Sequence, residues 1–375
     1  MPRPSLIGLT LLALLPWIAG QSARARQQGD SDAHASPPIP MAGMGIMVGE
    51  VTATSALVQI RLTRTDRLVD GDVPGMPGVV KFLLRPEPAV PSLTLPREQI
   101  AEAVAQRDCI ARVRFSDLEP GTRYTCSTRI GTDPTALRAG PRAGFRTLPG
   151  GRAAVPVDFV VVTGMNYAKF HGDDRIDRQR HVLQNNTQLP QPYAGPDKHL
   201  GYPALATILR MRPDFLIGTG DNVYYDTPVT PRAETLEELR RKWHEQFVQT
   251  RYVQLFAAVP TYWEIDDHDY RVDDCDNTGD YAPSPELGRR MMLEQLPVAD
   301  IADESQAKTY RTHRISRDLQ LWFTENRMHR SPNRMPDGPD KSIWGVRQRA
   351  WLQRTLADSD ATILVQGETG TGKEL

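Results

Sequence analysis

Apolar and polar positions alternate along short segments in the first part of the chain and gather into apolar blocks in the second. Ala56–Leu62 alternates over most of its length, as does Ala111–Phe115, the period-two pattern of strands with one buried face. Leu118–Tyr124 carries Glu119-Pro120-Gly121 at a turn and then enters a strand, with Tyr124 placed to make a tyrosine corner. Short strands of this kind are predicted from Gly43 to about Pro149. After Gly150-Gly151, Val157–Val162 is apolar except for Asp158, which predicts a strand at the centre of a buried sheet. His199–Arg212 predicts a crossover helix leading to the strand Phe215-Leu216-Ile217. Thr235–Phe256 predicts one long amphipathic helix with Leu236, Leu239, Trp243, Phe247 and Tyr252 on or near one face. Leu319–Phe323 predicts another strand and Val346–Ala357 another helix. Strand–helix alternation of this kind predicts an α/β domain. Core packing accounts for Trp243, Phe247 and Trp351.

The amino terminus has a different pattern. Arg3 precedes the apolar run Leu6–Ile18, and Ala23-Arg24-Ala25 supplies a small-x-small site, which together predict an export signal over residues 1–25. The apolar run is short for a membrane span, and no Arg-Arg pair marks the twin-arginine route. Residues 26–42 predict a flexible lead-in. The whole chain has 375 residues and a formal net charge of −1, so no broad basic surface suggests nucleic acid. That length accommodates two domains, each with its own core. The 31 prolines and 28 glycines thin out in the predicted helices. Three cysteines, Cys109, Cys126 and Cys275, fit no zinc spacing. Two small buried side chains are favoured over a Cys109–Cys126 bridge.

The densest chemistry lies in two acidic runs, each following an apolar stretch: Gly220-Asp221-Asn222-Val223-Tyr224-Tyr225-Asp226 and Ile265-Asp266-Asp267-His268-Asp269. Carboxylates and imidazoles just past the carboxyl ends of strands converge on the crevice where ligands bind. A solvated turn is the bland alternative for either run alone. Together, so many oxygen ligands repel one another unless cations occupy the site, which points to a metal-dependent hydrolase. Asp221 is the best candidate to bridge two ions, because one carboxylate spans both.

Gly220-Asp221-Asn222-Val223-Tyr224 resembles the GD-x-x-Y motif of PhoD-like alkaline phosphatases, a branch of the calcineurin-like metallophosphoesterases, and Asp266–Asp269 resembles their D-D-H-[DE] motif. Glu325–Asn333 is similar to their R-x-x-R-S-P segment, and Lys341–Gly345 with Gln348, Trp351 and Leu352 to their K-T-x-x-G-x-x-Q-x-x-W-L run. The resemblance runs from about residue 40 to about residue 362. It implies a fibronectin-III-like β-sandwich over 43–151, of the kind PhoD-like and purple acid phosphatases carry, and an α/β metallophosphoesterase domain over 152–362. It also implies two or more metal ions, Ca2+ and Fe3+ among them, and a small phosphate-ester substrate outside the cytoplasm, in the periplasm or the medium. By this resemblance Tyr224 is an iron ligand and Asp267 a ligand to the second ion. His268 is the general acid or a phosphate contact. Arg327 and Arg330 are candidates to hold phosphate bidentately, and Glu325 to touch a metal or pair with one of them.

Two departures bear on these expectations. The family's Ser-Cys pair after the first strand is replaced within Thr163-Gly164-Met165-Asn166-Tyr167, where Gly164 takes the thiolate position. Asn166 or His171 is the available substitute ligand. Residues 363–375 read Ile363-Leu364-Val365-Gln366 and then Gly367-Glu368-Thr369-Gly370-Thr371-Gly372-Lys373-Glu374-Leu375, which resembles the strand and Walker A loop of AAA+ enhancer-binding activators. Such a loop holds phosphate at the start of a helix, and only Glu374 and Leu375 follow Lys373. The expected fold is thus a metallophosphoesterase domain incomplete at its carboxyl end, followed by an inert Walker-like run. A secreted binding protein of the same fold without catalysis, and a fragment joined to the start of a P-loop ATPase, are the rivals.

Overall fold

The computed structural model describes residues 39–87, 96–303 and 306–366. The export signal, nearly all of the lead-in and residues 367–375 of the Walker-like run lie outside the described residues. Among the described residues, no helix is long and apolar enough to cross a membrane.

The first strands are β1 (Ile46–Gly49), β2 (Ala56–Arg61), β3 (Gly78–Glu87), β4 (Arg97–Ala103), β5 (Ile110–Phe115), β6 (Arg123–Gly131) and β7 (Arg138–Arg146). They are followed by β8 (Phe159–Val162), α1 (Tyr167–His171), α2 (Arg178–Asn185), α3 (Pro203–Met211) and β9 (Phe215–Thr219). Next come α4 (Leu236–Phe247), α5 (Thr250–Phe256), β10 (Thr261–Glu264) and α6 (Pro285–Gln295). The last elements are β11 (Arg311–Ser316), β12 (Leu319–Phe323), α7 (Gly345–Ala357) and β13 (Thr362–Gln366).

Three sheets are formed, with orders β5-β2-β1-β10-β9-β8, β4-β3-β6-β7 and β11-β12-β13. The six-stranded sheet crosses the boundary expected near residue 151, because β1 pairs in parallel with β10, Gly49 opposite Thr261. One apolar cluster accordingly joins Val58, Phe82, Tyr124 and Phe145 to Phe215, Tyr262 and Phe323. The Tyr124 hydroxyl accepts from the Glu119 N–H at 2.9 Å, the hydrogen bond of a tyrosine corner. All three cysteines are free and buried.

Polar links between the early strands and the rest are buried as well. The Arg112 guanidinium, 6 % exposed, donates to the carbonyls of Leu293, Glu294 and Ala299 at 2.7 to 2.8 Å. His244 on α4 sits between two carboxylates, 2.6 Å from Asp72 and 2.6 Å from Asp108. Glu50, just after β1, receives Arg311 Nε at 2.8 Å and Nη2 at 2.7 Å, and lies 2.9 Å from His313 Nε2. Burial alone would raise the Glu50 carboxyl, but Arg311 and His313 hold it down, from 4.5 to about 2.

Two sequence expectations need correction. β8 lies at the edge of its sheet rather than at the centre, and Val161 is 39 % exposed. A short apolar run shows that a strand is largely covered; it does not show whether both neighbours exist. The helix expected over Thr235–Phe256 is two helices. Gln249 is extended (φ −59°, ψ 129°), and its amide takes the backbone oxygen of Gln246 at 2.9 Å. Phe247, Tyr252 and Phe256 still pack together, so the break leaves no mark in the apolar period. Residues 363–366, the strand expected ahead of the Walker-like loop, lie in β13 (Thr362–Gln366), which pairs in parallel with β12.

Candidate metal centre

The parallel strands β8, β9 and β10 are in register, with Val162, Gly218 and Trp263 side by side. Their carboxyl ends therefore release three loops at one edge of the sheet, where the topology places a ligand crevice. The loops approach closely. Gly220 has φ 99°, and a Cβ there would lie 2.5 Å from the Asp266 nitrogen, so this position needs glycine. Asp221 follows in the left-handed region at φ 53°, which Asp tolerates better than most side chains. Its carbonyl accepts from Met165 N–H at 2.9 Å, and Tyr225 N–H donates to the His268 carbonyl at 3.0 Å. Beneath them Asp269, fully buried, accepts from Asn222 N–H, the Asn222 amide and Asp266 N–H at 2.7 to 2.9 Å.

On this frame Asp221, Asp267 and His268 bring ligand atoms within 4.8 Å of one another. Asp221 Oδ2 accepts from the Tyr224 hydroxyl at 2.8 Å. Its Oδ1 is buried and has no hydrogen-bond partner among the described residues. Asp267 Oδ2 accepts from Asp274 N–H at 2.5 Å. The His268 ring lies tilted against Tyr224 at 4.4 Å; its Nδ1 is 2.8 Å from Asp226 Oδ1 and its Nε2 is 3.5 Å from Asp273 Oδ1.

The electrostatics are those of an acidic cluster short of positive charge. Burial, reinforced by Asp267 and Asp266, pushes the Asp221 carboxyl up to about 6 against the pull of His268 and Tyr224. Burial also disfavours an imidazolium at His268, yet the hydrogen bond and charge of Asp226, with Asp221 and Asp267, carry it up to about 9. Burial and the neighbouring Asp221 hold the Tyr224 hydroxyl well above the ordinary phenol range. A buried carboxylate oxygen without a donor is costly. A cation removes that cost, and hard oxygen donors beside an imidazole are a suitable set for one. The residues present therefore fit a bound metal ion.

The other expected site residues fall less simply. Asn166 caps α1, accepting from Lys169 N–H at 2.9 Å, while its amide donates to Thr227 Oγ1 at 3.3 Å; both ends of the side chain are engaged with protein. Gly164 faces the cluster, since a Cβ there would lie 4.0 Å from the Tyr224 hydroxyl. His171 is packed against Tyr167 at 4.1 Å and does not enter the group. Arg327 lies against the acidic loop, its Nη2 3.7 Å from Asp267 Oδ1. It is 2 % exposed, and its Nε donates to Asp266 Oδ1 at 2.6 Å, so the guanidinium braces the acidic loop. Arg330 is half-buried, and its Nε has no acceptor among the described residues. Glu325 accepts from the backbone N–H groups of Arg327 and Met328 at 2.9 and 2.7 Å. It shapes that loop, and burial pushes its carboxyl up to about 7.

Sequence reasoning missed Asp226, which ends the first acidic run and orients His268, and Asp269, the buried brace. Both lie inside the quoted runs, but a run does not say which carboxylate faces the crevice. It also missed a cleft of about 400 Å³ that opens beside Tyr224 and His268 and is bordered by Lys169, Arg175, Arg180 and Arg232.

Residues 191–369 match the family model described as PhoD-like phosphatase. No curated protein matches the sequence significantly. Among solved structures, one of PhoD is 18 % identical with a TM-score of 0.62, over 87 % of this chain and 62 % of that one. A purple acid phosphatase from yellow lupin (Lupinus luteus) seeds is 11 % identical with a TM-score of 0.53, over 88 % of this chain and 51 % of that one. The chain thus spans about half to three fifths of the length of these structures. Residues 191–369 are similar to the PhoD-like phosphatases, and the fold that carries the acidic cluster is similar to those of the PhoD and purple acid phosphatase structures.

Proposed function

We propose that the protein is an exported metal-dependent phosphoesterase that hydrolyses small phosphate esters. The observation that carries this reading is the orphaned, buried Asp221 Oδ1 within a cluster that also holds Asp267 and His268. Asp221 and Asp267 would hold the metal, with Tyr224 hydrogen-bonded to Asp221, and Ca2+ and Fe3+ are the ions the family resemblance suggests. When bound, such ions supply Lewis acidity and a water of lowered pKa. The chain's own residues do the rest. Asp226 accepts a hydrogen bond from the His268 Nδ1–H and fixes the ring, so that the Nε2–H presents a proton to the departing ester oxygen. Asp269 and Arg327 keep the two acidic loops in place. Export to the periplasm or the medium is supported by Arg3, the Leu6–Ile18 run and the Ala23-Arg24-Ala25 site. A fibronectin-III-like wall beside the catalytic layer is supported by the Tyr124 corner.

A non-catalytic binding protein of the same fold is the second reading, favoured by Gly164 at the family's thiolate position. One pair of measurements separates the two. Elemental analysis of the purified chain should find bound metal that Asp221→Asn reduces, and the metal-loaded chain should hydrolyse an aryl phosphate. Unchanged metal stoichiometry in the variant rejects the site. Metal without hydrolysis selects the second reading.

A further inference from the structure

The cleft beside Tyr224 and His268 is larger and more basic than one phosphoryl group requires. Its volume is about 400 Å³, and its lining includes those two side chains, Lys169 on α1, Arg180 on α2, Arg175 and Arg232. Three acids share it, each with a partner. Asp226 holds His268, and Asp177 caps α2 through the Arg180 N–H at 3.0 Å. Asp273 lies 3.5 Å from His268 Nε2. Two of the four basic side chains are neutralised as well: Arg175 by Asp173 at 2.5 Å and Arg232 by Glu234 at 2.7 Å. Lys169 and Arg180 are in no ion pair among the described residues. They are the uncommitted lysine and arginine charge of the cleft lining.

We infer that Lys169 and Arg180 form a second anion subsite, and that the preferred substrate is an ester whose leaving group itself bears a phosphoryl group. An arginine fork and a lysine ammonium together suit a phosphate with several free oxygens. In a cleft with protein walls the attraction is screened less than on an open surface. As a substrate assignment this rests on the phosphoesterase reading; as a binding site it does not.

The test has two arms on the full chain. In the first, binding of inorganic tripolyphosphate is measured by calorimetry at fixed salt, without metal. The expected result is measurable binding that the Lys169→Ala/Arg180→Ala double variant weakens by about tenfold or more, and that Arg180→Glu weakens further. In the second, kcat/KM is compared for phenyl phosphate and for an ester with a phosphorylated leaving group, using metal-loaded protein. The double variant should lower the ratio of the two values in favour of phenyl phosphate, chiefly through KM. Absence of tripolyphosphate binding, or binding the variants leave intact, overturns the subsite. An unchanged ratio overturns the substrate assignment. Tripolyphosphate binding through these residues in a chain that hydrolyses neither ester leaves the subsite standing and rejects the phosphoesterase reading. Both side chains reach the cleft without holding an ion pair, so matching thermal melts are expected and check the folding of each variant.

Discussion

Glu50→Gln should destabilise the protein through charge alone, with a defined dependence on pH. The carboxylate is 5 % exposed and joins the segment after β1 to β11 through Arg311 and His313. Removing it leaves a buried guanidinium and imidazole without their counter-charge, a loss on the order of 3–5 kcal/mol. The lowering of the carboxyl from 4.5 to about 2 gives a comparable figure by linkage, roughly 3 kcal/mol. For a body of about 340 residues that is a fall in Tm of roughly 4 °C. Because the carboxyl is held below its unfolded value, its contribution is complete above pH 4.5 and is lost as the pH falls toward about 2. Differential scanning calorimetry of wild type and variant from pH 7 downward should show the full difference at neutral pH and a shrinking one below pH 4.5. A difference that stays constant through that window would mean that shape or packing, rather than charge, is being measured.

Further outcomes follow from the site. Gly220→Ala places a methyl group 2.5 Å from the Asp266 nitrogen at φ 99°, so it should cost on the order of 1–3 kcal/mol and lower metal content in elemental analysis; retained metal and an unchanged melt refute the loop contact. Asp226→Asn removes the anionic partner of His268 and should slow hydrolysis of alkyl phosphates by roughly a hundredfold, with a smaller loss on activated aryl phosphates; an equal loss on both indicates general damage to the site.

Much of the architecture was legible because it rests on local patterns. β12 and α7 fall where the apolar positions put them, and the acidic runs lie at the ends of β9 and β10 as the strand–loop order implied. What remained hidden depended on contacts distant in sequence. Arg327 lies within a motif that suggests phosphate, but its partner Asp266 is found 61 positions earlier, and no spacing rule reveals that pairing. Lys169 and Arg180 stand in an unremarkable polar stretch, and only the fold brings them to the rim of the same cleft as His268. The edge position of β8 is likewise a property of the sheet rather than of Val157–Val162.

The pairing of β1 with β10 also bears on how the molecule comes to be made. Gly49 meets Thr261, and Arg112 meets carbonyls of Leu293, Glu294 and Ala299. Strands that leave the ribosome first must therefore wait for partners synthesised some two hundred residues later, and closures of that span are slow. Until then the edge of β1 and the donors of Arg112 are open to other partners, a condition that favours aggregation or holding by a chaperone. The same dependence means that cutting the gene between residues 151 and 152 would not release two free-standing domains. Each piece would display a bare strand edge that the intact chain keeps covered.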